Sequence, residues 1–124
     1  MSQQVLIVDD EPDLLRALSV RLSAAGFVCQ TAQDGVDALT KLQTYRPDLI
    51  IVDLVMPNMD GFELCQRLKE DAVTASIPVL VLTAVPPYAL GPRLSGLGAV
   101  RVLHKPFDSI ELVAAVRGAL TTPV

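Results

Sequence analysis

A chain of 124 residues, 51% hydrophobic and 19% charged, has the size of one domain and enough apolar content for a buried core, which excludes a disordered segment. A formal charge of −4, without a Lys/Arg cluster, excludes a nucleic-acid surface. No apolar stretch reaches the length of a membrane span, and Met1-Ser2-Gln3-Gln4 lacks the basic region of a secretory signal, so the expected location is the cytoplasm.

Val5-Leu6-Ile7-Val8 is a continuous apolar run of strand length, the pattern of a strand covered on both faces. A helix follows, with Pro12 in its first turn, Leu14, Leu15, Leu18 and Leu22 at helical spacing, and Gly26 as its stop. Phe27 to Ala32 is a second, weaker strand suited to a sheet edge. Asp34-Gly35 opens the next helix, with Val36, Ala38, Leu39 and Leu42 on its buried side and Arg46-Pro47 ending it. Leu49 to Val52 is the most apolar strand. Asp60-Gly61 begins a helix that turns Phe62, Leu64, Cys65 and Leu68 inward. Ile77 to Leu82 is a fourth strand, where Pro78 fits only at the start. Beyond Thr83 the chain is rich in Pro and Gly (Pro86, Pro87, Gly91, Pro92, Gly96, Gly98), which predicts a loop over 85–91 and one or two helical turns over 92–97. Val100 to Leu103 is a fifth strand. Asp108 is the expected N-cap of a last helix that buries Ile110, Leu112, Val113, Val116 and Leu120.

Strict alternation of strand and helix predicts an α/β fold: a parallel sheet with helices on both faces, joined by right-handed crossovers. The domain is expected over 1–120, with 121–124 a tail or the start of a linker. Cys29 and Cys65 read as two small hydrophobes in a reducing compartment. His104 reads as a partly exposed strand residue, and with no Cys/His spacing beside it a zinc site is excluded.

The chemistry collects at strand ends. Asp9-Asp10 ends the first run, Asp53 the third and Thr83 the fourth, and Lys105 follows the fifth. In a doubly wound sheet ligands bind beyond the carboxyl ends of the strands, so residues distant in sequence meet there. Asp9, Asp10, Glu11 and Asp13 crowd four acids into five positions and repel one another unless a cation or a helix N-terminus is present. Mg²⁺ takes one or two carboxylates plus waters and phosphate oxygens, which Asp10 and Asp53 can supply with Asp9 bound directly or through water. Asp53 can attack phosphorus to give an acyl phosphate. Lys105 can hold one phosphoryl oxygen as a point charge, and the Thr83 hydroxyl with the Ala84 N–H can donate to another. Singly, each of these residues has a plainer reading as a helix cap, a charge at a helix start or a surface side chain. Their coincidence at strand ends favours phosphoryl chemistry.

Ile7-Val8-Asp9-Asp10-Glu11, Val52-Asp53-Leu54-Val55-Met56-Pro57 followed by Asp60-Gly61, Leu82-Thr83-Ala84 and Lys105-Pro106-Phe107 together make the chain resemble the response-regulator receiver domains of two-component signalling, the chemotaxis regulators among them. The resemblance implies a flavodoxin-like five-stranded sheet in order 2-1-3-4-5. It implies Asp53 as phosphoacceptor from a sensor histidine kinase or phosphotransfer protein. It also implies Mg²⁺ held by Asp9, Asp10, Asp53 and the Val55 carbonyl, Thr83 as switch hydroxyl and Lys105 as phosphate-binding amine. The Lys105-Pro106 peptide is expected to be cis. Such a protein is a signalling switch rather than an enzyme with a diffusible substrate, and it catalyses only its own phosphorylation and dephosphorylation. The surface made by its fourth helix, fifth strand and last helix is expected to change on phosphorylation and is a candidate homodimer face, with neither nucleic acid nor membrane in direct contact.

Three departures from the family pattern stand out. Val102 occupies the place of an aromatic residue that moves with the threonine. The Pro/Gly-rich stretch falls where the fourth helix belongs, so that helix is expected to be short or irregular. Val55 and Val85, two residues beyond Asp53 and Thr83, cannot orient a water molecule, which predicts slow loss of the phosphoryl group. Two other functions compete. A haloacid-dehalogenase-type phosphatase would need an acid where Val55 stands, and a cap domain. A receiver-like binding module that signals without phosphate would not need the full acid set.

Overall fold

The computed structural model describes residues 2–56, 58–91, 93, 97–98 and 101–121. Strands β1 (Gln4–Val8), β2 (Val28–Ala32), β3 (Leu49–Asp53), β4 (Val79–Thr83) and β5 (Arg101–His104) form one parallel sheet in the order β2-β1-β3-β4-β5. Every residue of β3 and β4 is buried, as their unbroken apolar runs require of strands covered on both faces. The edge strand β2 alternates exposed and half-buried residues up to the buried Ala32.

Helices α1 (Pro12–Ala24), α2 (Gly35–Lys41), α3 (Gly61–Glu70), α4 (Pro87–Leu90) and α5 (Ser109–Thr121) alternate with the strands. Because side chains alternate across a strand, the sheet serves two cores. Leu6, Val8, Ile50, Val52, Val79 and Val81 pack with Ala38, Leu64, Leu68 and Leu90 of α2, α3 and α4. Val5, Ile7, Leu49, Ile51, Leu80 and Leu82 pack on the other face with Leu18 and Leu22 of α1 and Leu112 and Val116 of α5.

Local signals fix the helix ends. Pro12 sits at the start of α1, and Gly26 ends that helix at φ 100°, with the Gly26 and Phe27 N–H groups donating to the Ser23 and Leu22 carbonyls. Asp34 and Asp60 accept from the N–H groups of Asp37 and Glu63. Asp108 and Glu111 exchange bonds in a capping box at the head of α5.

Several sequence expectations need correction. Val36 and Ile110, expected inward, are 51% and 81% exposed. Each lies two residues before a buried position (Ala38, Leu112), about 200° around the helix and so on its far side. Helix α2 stops at Lys41 rather than at Arg46-Pro47, because the chain closes into turns through Gln43 and Thr44 while the Arg46 guanidinium caps the Leu42 carbonyl. A helical turn falls inside the expected loop 85–91. Pro87 at its first position needs no hydrogen-bonded N–H, and Ala89 and Leu90 both donate to the Pro86 carbonyl. Of the turns expected over 92–97, residues 92 and 94–96 lie outside the described residues. The fourth helix is short.

Candidate functional site

The parallel register assembles the site. Val8 is paired with Val52, so the next residues, Asp9 and Asp53, leave the sheet side by side. Across β3, Leu82 pairs with Asp53, which sets Thr83 one step beyond. His104 pairs with Thr83, the Lys105 N–H donates to the Thr83 carbonyl at 2.8 Å, and the chain then turns through a cis Lys105-Pro106 peptide. Asp9, Asp10, Asp53, Thr83 and Lys105 thus meet at the carboxyl end of the three central strands and β5.

Asp9, Asp53 and Thr83 are 1%, 6% and 0% exposed, whereas Asp10 is open to solvent. One carboxylate oxygen from each of Asp9, Asp10 and Asp53 lies within 4.8 Å of the others. The Lys105 amine stands 3.4 Å from Asp53 Oδ2 and 3.9 Å from Asp9 Oδ2. Asp53 Oδ1 accepts from the Val55 N–H at 3.3 Å, and Asp9 Oδ1 from the Glu11 N–H at 2.9 Å. The remaining buried oxygen, Asp9 Oδ2, accepts no hydrogen bond among the described residues. Burial pushes the Asp9 carboxyl up to about 6, and the charges of Asp53 and Asp10 add to the shift against the Glu11 N–H and Lys105. A buried carboxylate oxygen without a hydrogen bond, in a residue grouped with two more carboxylates, is what a hard dication with oxygen ligands would satisfy, so the residues fit Mg²⁺.

The Thr83 oxygen accepts from the Val85 N–H at 2.9 Å, which leaves its own O–H proton for another acceptor. Ala84 is exposed directly after it. A cleft of about 360 Å³ between the residues that follow Asp53 and those that follow Thr83 is lined by Leu54, Val55, Val85 and Arg93. Val102 is not part of the cluster. It pairs with Val81 two steps back along the sheet and packs, half-buried, against the core under α2, α3 and α4. Glu11 and Asp13, members of the acidic run, stay exposed at the head of α1.

Three contacts had no signal in hydrophobic periodicity. Gly61 approaches the end of β3 so closely that a Cβ would stand 2.4 Å from the Asp53 carbonyl oxygen. The Arg93 guanidinium lies 3.6 Å above the Phe62 ring. Asn58, at φ 68°, donates to Asp34 across two loops. Only the asparagine after a proline hinted at the last, as a residue that tolerates left-handed backbone.

The sequence matches the response regulator receiver domain family over residues 5–117. This chain belongs to that family. Receiver relatives include the DNA-binding dual master transcriptional regulator RpaA of a Synechocystis strain, 42% identical over 119 residues, 94% of this chain and 48% of RpaA. The response regulator PleD of Caulobacter vibrioides is also 42% identical, over 94% of this chain and 26% of PleD. The chain therefore spans about half of RpaA and a quarter of PleD. A putative response regulator from Chloroflexus aurantiacus superposes with a TM-score of 0.92 at 33% identity, covering 98% of this chain and all of that one (100%). As a response-regulator receiver domain the chain has a fold of two-component signalling, and no helix among its described residues is long and apolar enough to cross a membrane.

Proposed function

We propose that this receiver domain accepts a phosphoryl group on Asp53 from a phosphohistidine of a sensor kinase or phosphotransfer protein. The observation that carries the reading is the Asp53 carboxylate beside both Asp9 and the Lys105 amine, with one carboxylate oxygen each of Asp9, Asp10 and Asp53 within 4.8 Å of the others. An Asp53 oxygen attacks phosphorus as the bond to the donor imidazole breaks, and the imidazole nitrogen keeps the electron pair and takes up a proton. Asp9, Asp10, Asp53 and the Val55 carbonyl would hold Mg²⁺, which when bound offsets the negative charge of the phosphoryl oxygens. Lys105 gives up its pairing with Asp53 to hold a phosphoryl oxygen, while the Thr83 hydroxyl and Ala84 N–H donate to another.

The product is a changed surface rather than a released metabolite. In this reading Thr83, turning toward the phosphoryl group, draws on the β4–α4 connection through its bond to Val85. The α4-β5-α5 face then presents a different surface to a downstream partner or a second copy. That face exposes Tyr88 and Ile110, at 88% and 81%. Val102 takes part only as a packing residue, since it has no ring to move. The receiver unit is taken as 1–120.

Incubation with Mg²⁺ and phosphoramidate, followed by intact mass measurement, tests the reading. The expected result is one added phosphoryl group, lost in Asp53→Asn and in chelator. No adduct on the folded wild type would overturn it in favour of a binding module that works without phosphate. Sustained release of phosphate from unrelated esters would point instead to a phosphatase.

A further inference from the structure

We propose that Asp34 and Asn58 form a positioning pair that holds the β3–α3 loop in its cation-binding shape. The inference rests on the reading of the acid cluster as a Mg²⁺ site, and it adds two residues that touch neither the cation nor the phosphoryl group.

The loop over 54–60 has a demanding task. It starts at Asp53, and its Val55 donates to Asp53 Oδ1 and offers the carbonyl assigned to the cation. Val55 is 66% exposed, so side-chain packing does little to fix it. At one end the loop is secured by the Gly61 N–H, which donates to the Leu54 carbonyl at 3.0 Å, and by the absence of a Cβ on Gly61. Its outer edge is restrained from α2. The Asn58 amide donates to Asp34 Oδ2 at 2.9 Å, while Asp34 Oδ1 accepts from the Asp37 N–H at 2.7 Å and caps the helix. Next along, the buried Met59 lies over Gly35, where a Cβ would come within 2.8 Å of its Cγ and Sδ. Asn58 itself is at φ 68°, a conformation that asparagine and glycine accept more readily than other residues. Both bonds favour the charged carboxylate, and the Asp37 N–H followed by the Asn58 amide holds Asp34 below its ordinary range.

One carboxylate therefore serves two structures, with one oxygen for the helix cap and the other for the loop. Asn58 is exposed, so water competes for its bond and the effect on the loop is a few-fold rather than absolute.

Mg²⁺ titration of the unphosphorylated full chain tests this, with Mg²⁺ alone as the probe. Asn58→Gly keeps the left-handed backbone and deletes the amide. Asp34→Ser keeps a helix cap and deletes the second oxygen. Each is expected to weaken Mg²⁺ binding by about three- to tenfold, the worth of one exposed bond, and the double variant by no more than either alone. Asp34→Asn, whose amide can donate to the Asn58 oxygen, is expected to retain near-wild-type affinity. Thr74→Val removes a buried bond to the Leu68 carbonyl at the far end of α3, and so serves as a destabilised control with unchanged Mg²⁺ affinity. Unchanged affinity in both single variants, multiplied losses in the double variant, or an equal loss in Thr74→Val would overturn the pair while leaving the phosphoacceptor reading intact. A wild type that binds no Mg²⁺ would overturn both.

Discussion

Lys105 Nζ lies 3.4 Å from Asp53 Oδ2, and the same amine is 3.9 Å from Asp9 Oδ2, so one cation faces two buried carboxylates. Mg²⁺ would take over part of that task. Lys105→Met is therefore expected to lower stability at pH 7 in chelator by about 1 kcal/mol, a modest value because the amine remains partly open to water. The deficit should shrink toward pH 4, where the Asp9 carboxyl is protonated and no longer repels its neighbours. Mg²⁺ should stabilise the variant more than the wild type. Urea titrations at the two pH values, with and without Mg²⁺, check this, and an equal deficit at pH 4 would sink the electrostatic account.

Asp9 gives the pH dependence. Its carboxyl is raised from 3.8 to about 6, chiefly by burial. A group raised on folding contributes stability that is fully present below its unfolded value and is lost as pH rises through its folded value. The metal-free protein should thus lose stability between about pH 4 and pH 6, on the order of 2–3 kcal/mol from this group. Asp9→Asn, which has no charge to bury, should be more stable than the wild type at pH 8 in chelator and no more stable at pH 4. Thermal melts across that range decide it; a variant less stable than wild type at pH 8 would mean that the Asp9 charge is a net benefit to the fold.

Two glycines make a matched steric test. A Cβ on Gly61 would stand 2.4 Å from the Asp53 carbonyl oxygen and 2.6 Å from Leu54 Cα, both backbone atoms of a fully buried strand end. A Cβ on Gly118 in α5 would meet the Arg101 guanidinium at 2.5 Å, the far end of a flexible side chain. Gly61→Ala is expected to cost about 2–4 kcal/mol and to weaken Mg²⁺ binding, because the end of β3 must shift. Gly118→Ala should be close to neutral, since helix propensity returns about 1 kcal/mol against the displacement of Arg101. Denaturant midpoints for the pair suffice, and equal losses in both would refute the distinction between backbone and side-chain neighbours.

The apolar runs Val5–Val8 and Leu49–Val52, the helix start at Asp60-Gly61 and the cap at Asp108 were legible in the sequence, because burial on both faces and orphan helix N–H groups impose local composition. So were the acids at strand ends, since a parallel sheet places all its strand ends together. Register was not legible. That Val8 faces Val52, and hence that Asp9 stands beside Asp53, depends on pairing between strands whose two faces are equally apolar. Nor was the link from Asn58 to Asp34, 24 residues apart, because it depends on how two loops meet. The turn at Pro87–Leu90 was hidden by prolines read as breakers, although Pro at a helix start removes only an N–H that would have had no partner.

The lifetime of an Asp53 phosphoryl group should be set by the side chains at the mouth of the site. Val55, two residues after Asp53, is 66% exposed; Val85, two after Thr83, is half-buried; and both line one cleft. Hydrolysis needs a water held in line with the bond to the Asp53 oxygen. Neither valine offers a donor or acceptor to hold it, and their methyl groups favour its exclusion. Slow self-dephosphorylation follows, and Val55→Asn, which adds an amide at the exposed rim, should speed it by about tenfold, corresponding to ~1.4 kcal/mol of the barrier. The measurement is loss of label from phosphorylated protein in Mg²⁺ buffer after the donor is removed. Val55→Ala separates the two contributions: if it accelerates the loss as much as Val55→Asn does, the valine acts by excluding water; if it leaves the rate unchanged while Val55→Asn raises it, the amide acts by orienting water. No change in either variant would remove this position from control of the lifetime.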